Sequence, residues 1–363
     1  MEESARRISP APALAVADQD PILNPTFPAP RRPDVGRPEP TSACPRCLAP
    51  FRWAEKAASL CPELMDKTPA PSVGDAHAGN FGLWRDAQTR LVWGVNDFDE
   101  AARLLWPLDL VRLAASVLAA VEAADASEVA GAVLEGYLSG LSDPRAIVIE
   151  RKTDFLWLRD AFISNNDERE KFWKKLDKAK AADCDPAALE TPLLTAFGRT
   201  SDVLVARRQA GVGSLRRPRF TASGVVNSGP FAAEIKAALP SCWRDGREAG
   251  LAQSMAHGPA RSPDPALRYD DSATVPFVIR RLAPNYRKLE FGELEPKLSG
   301  RHRRALLGAM GMELASLHVA KAGDERDAIM GELSKLPERW LSRAASRVAD
   351  WTVDEWRGFG KSH

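Results

Sequence analysis

Between Val73 and Ala101 the chain reads VGDAHAGNFGLWRDAQTRLVWGVNDFDEA. Two polar clusters, one from Asp75 to Asn80 and one from Asn96 to Glu100, flank an apolar run that is interrupted near Gln88-Thr89. Apolar residues on both sides of a polar tip predict a strand, a turn and a second strand. A hairpin returns its two ends to one place, so Asp75, Asn80 and Asp97 are expected to converge. Two carboxylates and an amide oxygen facing one point are hard-cation ligands, of the kind magnesium takes beside a phosphate. A solvated Asx-rich turn has a similar local composition, so the clusters gain meaning from what the rest of the chain adds.

With 363 residues the chain is long enough for one large or two medium domains. Its 50 basic and 49 acidic residues leave a net charge of +1, which argues against a dedicated nucleic-acid binder. Cys44, Cys47, Cys61, Cys184 and Cys242 form an odd, scattered set that suits a reducing compartment. CPRC at 44–47 has the spacing of half a zinc site, but no second pair completes it, and it reads as two reduced thiols. The N-terminus lacks a signal-peptide core. The longest apolar stretch, LVRLAASVLAAV at 110–121, carries Arg112 and is too short to span a bilayer. A soluble, cytoplasmic protein without a membrane partner is expected.

Residues 1–43, dense in Pro, Ala, Arg and Asp, read as a disordered leader. Helical spacing then predicts helices near 50–65, after Pro107, and at 127–140, 147–163 and 166–180. The texture changes near Ser201, where β-like runs at 202–208, 218–226 and 231–237 are separated by GVGS and NSGP turns. A helix at 242–256, a strand at 274–282 and a return to helix after Gly300 complete the pattern. The fold class expected is α+β, with a helical segment at 44–200, a β-rich block at 201–284 and a second helical segment at 285–363.

Four signals in this order suit phosphoryl transfer. Asp75 and Asn80, five residues apart, pair a carboxylate that orients an attacking hydroxyl with an amide oxygen that holds magnesium. Asp97, following the LVWGV strand, is placed to chelate magnesium on nucleotide phosphates. Gly211 and Gly213 in AGVGSL, with Val212 and Ser214, let backbone amides approach a phosphate. Lys236, in the apolar run AAEIKAAL on the third strand of a meander, is placed to hold the α- and β-phosphates. Each has a plain alternative: an Asx turn, an acidic turn, a glycine turn, an outward lysine.

The motifs GDAHAGN and NDFDEA resemble the catalytic and metal loops of the protein-kinase-like superfamily, in particular its aminoglycoside and choline phosphotransferase branch. More narrowly, GDAHAGNFG, NDFDEA, PLDLVRLAAS, AGVGSLRRPRF, EIKAALPS, VIRRLAP and AMGMELASLH resemble the bacterial family of domain of unknown function 2252, over roughly residues 48–325. One departure is that Glu55-Lys56 stands where that family often has an Arg-Gly pair. The resemblance implies a two-lobed kinase-like fold in circularly permuted order, with the catalytic loop ahead of the Gly-loop and lysine lobe. Chain breaks at surface loops are tolerated by such folds. It further implies that Asp109 binds the backbone amides of the catalytic loop, with Arg112 in the same network. Asp99 is implied as an assistant at the metal, Glu248 as a partner of Lys236, and Ile279, Arg280, Arg281 and Leu282 as the hinge that meets adenine.

His77 reads as a residue that holds the loop's backbone by hydrogen bonding. His318 reads as a packing histidine, and His257, His302 and His363 carry no signal. The function expected is a kinase-like phosphotransferase using ATP and Mg²⁺, with an unidentified hydroxyl compound or protein as acceptor. Rival readings are a nucleotide-binding scaffold that has lost catalysis, an AMP transferase on the same fold, and a two-metal phosphoesterase. The last is disfavoured by the scarcity of histidines.

Overall fold

The structure, a computed structural model, describes residues 50–149, 155–179, 190–207, 219–238, 240–270, 276–286, 288, 298–319 and 324–361. The leader, Cys44, Cys47 and the loop Gly211, Val212, Gly213 and Ser214 lie outside these residues.

Helix α1 (Pro50–Leu60) buries Trp53, Ala54 and Ala57 on one face. Strand β1 (Pro69–Ser72) leads into the loop of the first polar cluster. The predicted hairpin follows as β2 (Phe81–Arg85) and β3 (Leu91–Val95), antiparallel from Phe81↔Val95 to Arg85↔Leu91. Its tip is held by Asp86, whose Oδ1 accepts the amides of Gln88 (3.0 Å) and Arg90 (2.9 Å). This register sets Asn80 beside Asn96, whose amide donates to the Asn80 carbonyl at 2.8 Å, and so both clusters meet at the hairpin's open end. Strand β4 (Ala102–Leu105) returns to pair with β1.

Helix α2 (Pro107–Ala120) begins on the proline, which needs no amide donor at a helix start. Helix α3 (Ala126–Ser142) starts at the Asp125 cap, which accepts the Glu128 amide at 2.7 Å. The helix predicted at 147–163 is corrected here. Ile147–Val148 is strand β5 on the edge of β3, and the helix α4 is confined to Leu156–Phe162. The apolar side chain of Ile147 is worth more against the hairpin than in a free helical turn, a tertiary override of local pattern. Helices α5 (Asn166–Asp177), opened by a capping box at Asn165 and Glu168, and α6 (Glu190–Phe197) follow.

The β-rich block is a five-stranded antiparallel sheet. Strands β6 (Thr200–Arg207), β7 (Arg219–Val226) and β8 (Gly229–Ala237) form the meander. Asn227 and Ser228, at φ of 47° and 64°, make the two-residue turn between β7 and β8. The helix predicted at 242–256 shrinks to α7 (Leu251–Ala256), with turns at Asp245-Gly246 and Ala249-Gly250 ahead of it. Strands β9 (Arg268–Asp270) and β10 (Phe277–Arg281) complete the order β6-β7-β8-β10-β9. One face of this sheet, with Phe220, Ala222, Phe231, Ala233, Ile235, Phe277 and Ile279, packs with Leu193 of α6 into its own small core. Because successive strand residues point to opposite faces, Glu234, Lys236 and Arg280 occupy the other face.

Helices α8 (Gly300–His318), α9 (Asp324–Leu333) and α10 (Trp340–Lys361) close the main core. Glu332 ties α9 to the start of β1, accepting the Thr68 amide at 3.0 Å and the Trp106 indole at 2.8 Å. Helices α3 and α8 cross at glycine contacts: a Cβ on Gly136 would overlap the carbonyl of Gly308, and one on Gly311 that of Val133. The fold is mixed α+β, and no helix among the described residues is long and apolar enough to cross a membrane.

These crossings set a stability prediction. Gly136→Ala forces α3 from α8 and is expected to cost about 1–3 kcal/mol. Gly131→Ala on the same helix, where a Cβ meets nothing within 4 Å, is expected to be neutral or to stabilise by about 0.5–1 kcal/mol. Urea unfolding of the two variants checks the difference.

Candidate active site

The loop from Val73 to Asn80 is fixed by its backbone. Gly74 has φ of +77°, and a Cβ there would overlap the Glu100 carbonyl, so the turn demands glycine. The amides of Val73 and Gly74 donate to the two oxygens of Asp109, at 2.7 and 3.0 Å. Ala78 donates to the Ser116 hydroxyl at 2.9 Å, and the Trp243 indole donates to the Gly74 carbonyl at 3.1 Å. Asp109 is itself buried on the first turn of α2, where a helix N-terminus favours negative charge. His318 Nε2 lies 3.3 Å from Asp109, and its Nδ1 lies 2.8 Å from the Tyr137 hydroxyl. Three helices thus meet beneath the loop.

Above this support stands Asp75. Arg112 reaches Asp75 Oδ1 through Nε at 2.9 Å and through Nη2 at 2.8 Å, which leaves Oδ2 turned toward His77 Nε2, 3.6 Å away. Burial pushes the His77 imidazole down to about 4, opposed by Asp75 and reinforced by the charges of Arg112 and Lys288. His77 is therefore neutral at pH 7, and its Nδ1 is buried without a hydrogen-bond partner among the described residues. His77 was expected to hold the loop by hydrogen bonding; its backbone does so, with its carbonyl accepting the Asn80 amide at 2.8 Å.

Asn80 joins the two clusters. Its Nδ2 donates to the carbonyls of Asp97 at 2.9 Å and Asp75 at 3.4 Å. Its Oδ1 is buried with no hydrogen-bond partner among the described residues. Asp97 and Asp99 both face Lys236, whose Nζ lies 2.6 Å from one oxygen of each. Lys288 Nζ approaches the other oxygen of Asp97 at 3.7 Å. Burial alone would favour protonated Asp97, but Lys236, Lys288 and Arg280 hold its carboxyl well below the usual carboxylate range.

On the same sheet face Glu234, fully buried, takes Arg280 at 2.5 Å and Arg219 at 3.3 Å. Arg280 continues to the Asn96 carbonyl at 3.5 Å, linking the sheet to the second polar cluster. A second buried pair, Arg261 with Glu313, clasps β3: Arg261 donates to the Val95 carbonyl at 2.6 Å and Glu313 accepts the Val95 amide at 3.2 Å.

The residues brought together are Asp75, His77, Asn80, Asp97, Asp99, Lys236, Asp109 and Arg112. Glu248 is not among them. It is exposed, in the turn ahead of α7, and the carboxylates on Lys236 are Asp97 and Asp99. Along β10, Ile279 points into the small core, Arg280 pairs with Glu234, and Arg281 lies over the Phe197 ring and 3.2 Å from Asp264. Strand β9 covers the edge of β10 only as far as Ile279, and the Leu282 amide bonds to the Ala232 carbonyl at 2.8 Å. Sequence reasoning did not find Lys288, Tyr137, Glu234 or the Arg261–Glu313 pair. Lone charged residues in mixed runs carry no periodic signal, although a Glu at the centre of an apolar strand was a hint for Glu234.

Residues 56–143 match the family model described as "Uncharacterized protein conserved in bacteria (DUF2252)". The matched stretch contains both polar clusters, Asp109 and Arg112. No curated protein and no solved structure matches the chain.

The ionised Asp97 has a consequence for stability. A carboxylate with a depressed folded-state pKa adds stability above its unfolded value, about 4, and loses it as pH falls through the folded value. Asp97→Asn is therefore expected to show a shallower decline of the urea midpoint below about pH 4 than the parent chain does.

Proposed function

We propose that this chain is a Mg²⁺- and ATP-dependent phosphotransferase of two-lobed, kinase-like fold in circularly permuted order. The observation that carries the proposal is the meeting of Lys236, on the third strand of the sheet, with Asp97 and Asp99 beside the Oδ1 of Asn80, which has no hydrogen-bond partner among the described residues. Phosphoryl transfer needs a lysine for phosphates, a carboxylate and an amide for magnesium, and a second carboxylate for the acceptor, all around one nucleotide. These groups come from residues 75–99 and 236, whatever order the chain visits them. Among the described residues no three His, Cys, Asp and Glu side chains form a metal cage. Magnesium does not require one, because it keeps waters and takes its remaining ligands from phosphate.

In this reading Asn80 and Asp97 hold the metal, with Asp99 assisting, and Lys236 holds the phosphates. Magnesium held by Asn80 and Asp97 would supply positive charge beside the phosphates. Arg112 fixes Oδ1 of Asp75, so Oδ2 orients the acceptor hydroxyl. Adenine would meet the edge of β10 beyond Ile279, at Arg280 to Leu282, and Gly211, Val212, Gly213 and Ser214, which lie outside the described residues, are the expected phosphate contacts. Lys236 neutralises Asp97 and Asp99 while no nucleotide is bound. With nucleotide present Lys236 would turn to the phosphates, leaving Asp97 and Asp99 to hold the cation. The acceptor is a hydroxyl compound or protein, in keeping with a chain that has no basic excess for nucleic acid.

Two outcomes are expected. ATP with Mg²⁺ together raises the melting temperature, since a ligand that binds only the native state stabilises it by mass action. Lys236→Met and Asp97→Asn each shrink that shift, and an unchanged shift in both sinks the assignment. Incubation with ATP and a metabolite extract yields a product heavier by one phosphoryl group, and Asp75→Asn lowers its formation by about two orders of magnitude. A gain of one adenylyl group would instead assign AMP transfer, and ATP binding without any product would assign a scaffold.

A further inference from the structure

In phosphoryl transfer, charge spreads over the equatorial oxygens of the phosphoryl group in flight, and a fixed cation there lowers the barrier. The loop from Asp75 to Asn80 contains no Lys or Arg. Its one basic side chain is that of His77, whose Nε2 faces Asp75 Oδ2 at 3.6 Å. Arg112 is committed to Asp75 Oδ1, and Lys236 lies on the sheet side of Asp97. The loop itself therefore supplies no lysine or arginine at the end where the acceptor arrives.

Lys288 stands at that end. Its backbone bridges Gly82, two residues beyond Asn80, and its ammonium lies 3.7 Å from Asp97 Oδ2 while Lys236 holds Oδ1. The two ammonium groups bracket the one carboxylate from opposite oxygens. The Lys288 side chain keeps 40% of its surface in solvent, so it is able to swing toward a ligand.

Resting on the phosphotransferase reading, we propose that Lys288 is a catalytic residue that binds the γ-phosphate of ATP and neutralises it during transfer. It supplies from a separate segment the cation that the Asp75–Asn80 loop lacks. In that step the acceptor oxygen bonds to the γ-phosphorus and the bond from that phosphorus to the β,γ-bridging oxygen breaks. ADP leaves, and the hydroxyl proton passes to Asp75. The pair of lysines also gives the site a preference for triphosphate over diphosphate.

Titration calorimetry with Mg²⁺ and either ADP or an ATP analogue whose γ-phosphate cannot transfer separates the roles of the two lysines. Lys288→Met is expected to weaken the triphosphate about tenfold, equivalent to about 1.4 kcal/mol, and to leave ADP within about twofold. Lys236→Met is expected to weaken both nucleotides, and Lys288→Arg to restore most of the triphosphate affinity. If Lys288→Met leaves the ratio of triphosphate to diphosphate affinity unchanged while Lys236→Met weakens both, the role of Lys288 is overturned and the phosphotransferase reading stands. If the parent chain binds neither nucleotide, both are overturned.

Discussion

The carboxylate of Asp109 is the constraint on which the site rests. It is almost fully buried, and a buried charge is tolerable only when its lone pairs are occupied. Two are taken by the Val73 and Gly74 amides, and His318 occupies the side toward α8. The same contact thus satisfies a costly charge and sets the path of the chain into Asp75. Tyr137 extends the support to α3, and burial with the neighbouring Asp109 and Glu332 charges raises its hydroxyl well above the usual tyrosine range. The phenol therefore stays protonated at neutral pH. The close glycine crossing of α3 and α8 is what lets Tyr137 and His318 meet.

A second layer of charge joins the small sheet to this platform. Lys236, Arg280 and Glu234 share the face that does not enter the small core, and two of them reach the hairpin end through Asp97, Asp99 and Asn96. Lys236 helps hold Asp97 ionised in a setting where burial alone would favour the neutral acid. Removing one partner of such a pair costs more than the pair itself contributes, because the remaining charge is stranded. Binding chemistry that supplies a cation to the aspartates and anions to the lysine can exchange partners without stranding either.

Much of the architecture was legible in the residues. The polar clusters around LVWGV, the turn at Gln88-Thr89, the proline opening α2 and the Asn227-Ser228 turn are local signals, and each acts over a few residues. Helix α7 and strand β5 were misread because their form is decided by what they pack against. Ile147 takes a place beside β3, and the residues ahead of Leu251 are occupied with contacts to the Glu100 loop, such as the Cys242 amide on the Glu100 side chain at 2.7 Å. The partner expected for Lys236 was misassigned for a related reason, since helical spacing after a strand does not say which carboxylate is nearest in space.

What the sequence determined by itself was a hairpin with acidic ends, an amphipathic set of helices, and a meander whose third strand carries a lysine. Periodicity and turn chemistry are short-range, and they suffice for that much. Only the tertiary structure decided that Lys236 meets Asp97 across 139 residues, that Lys288 approaches the other oxygen of the same carboxylate, and that His318 lies under the Asp75 loop. Those contacts depend on how two hydrophobic cores dock, and the energy that selects the docking is spread over many apolar side chains rather than written at any one residue.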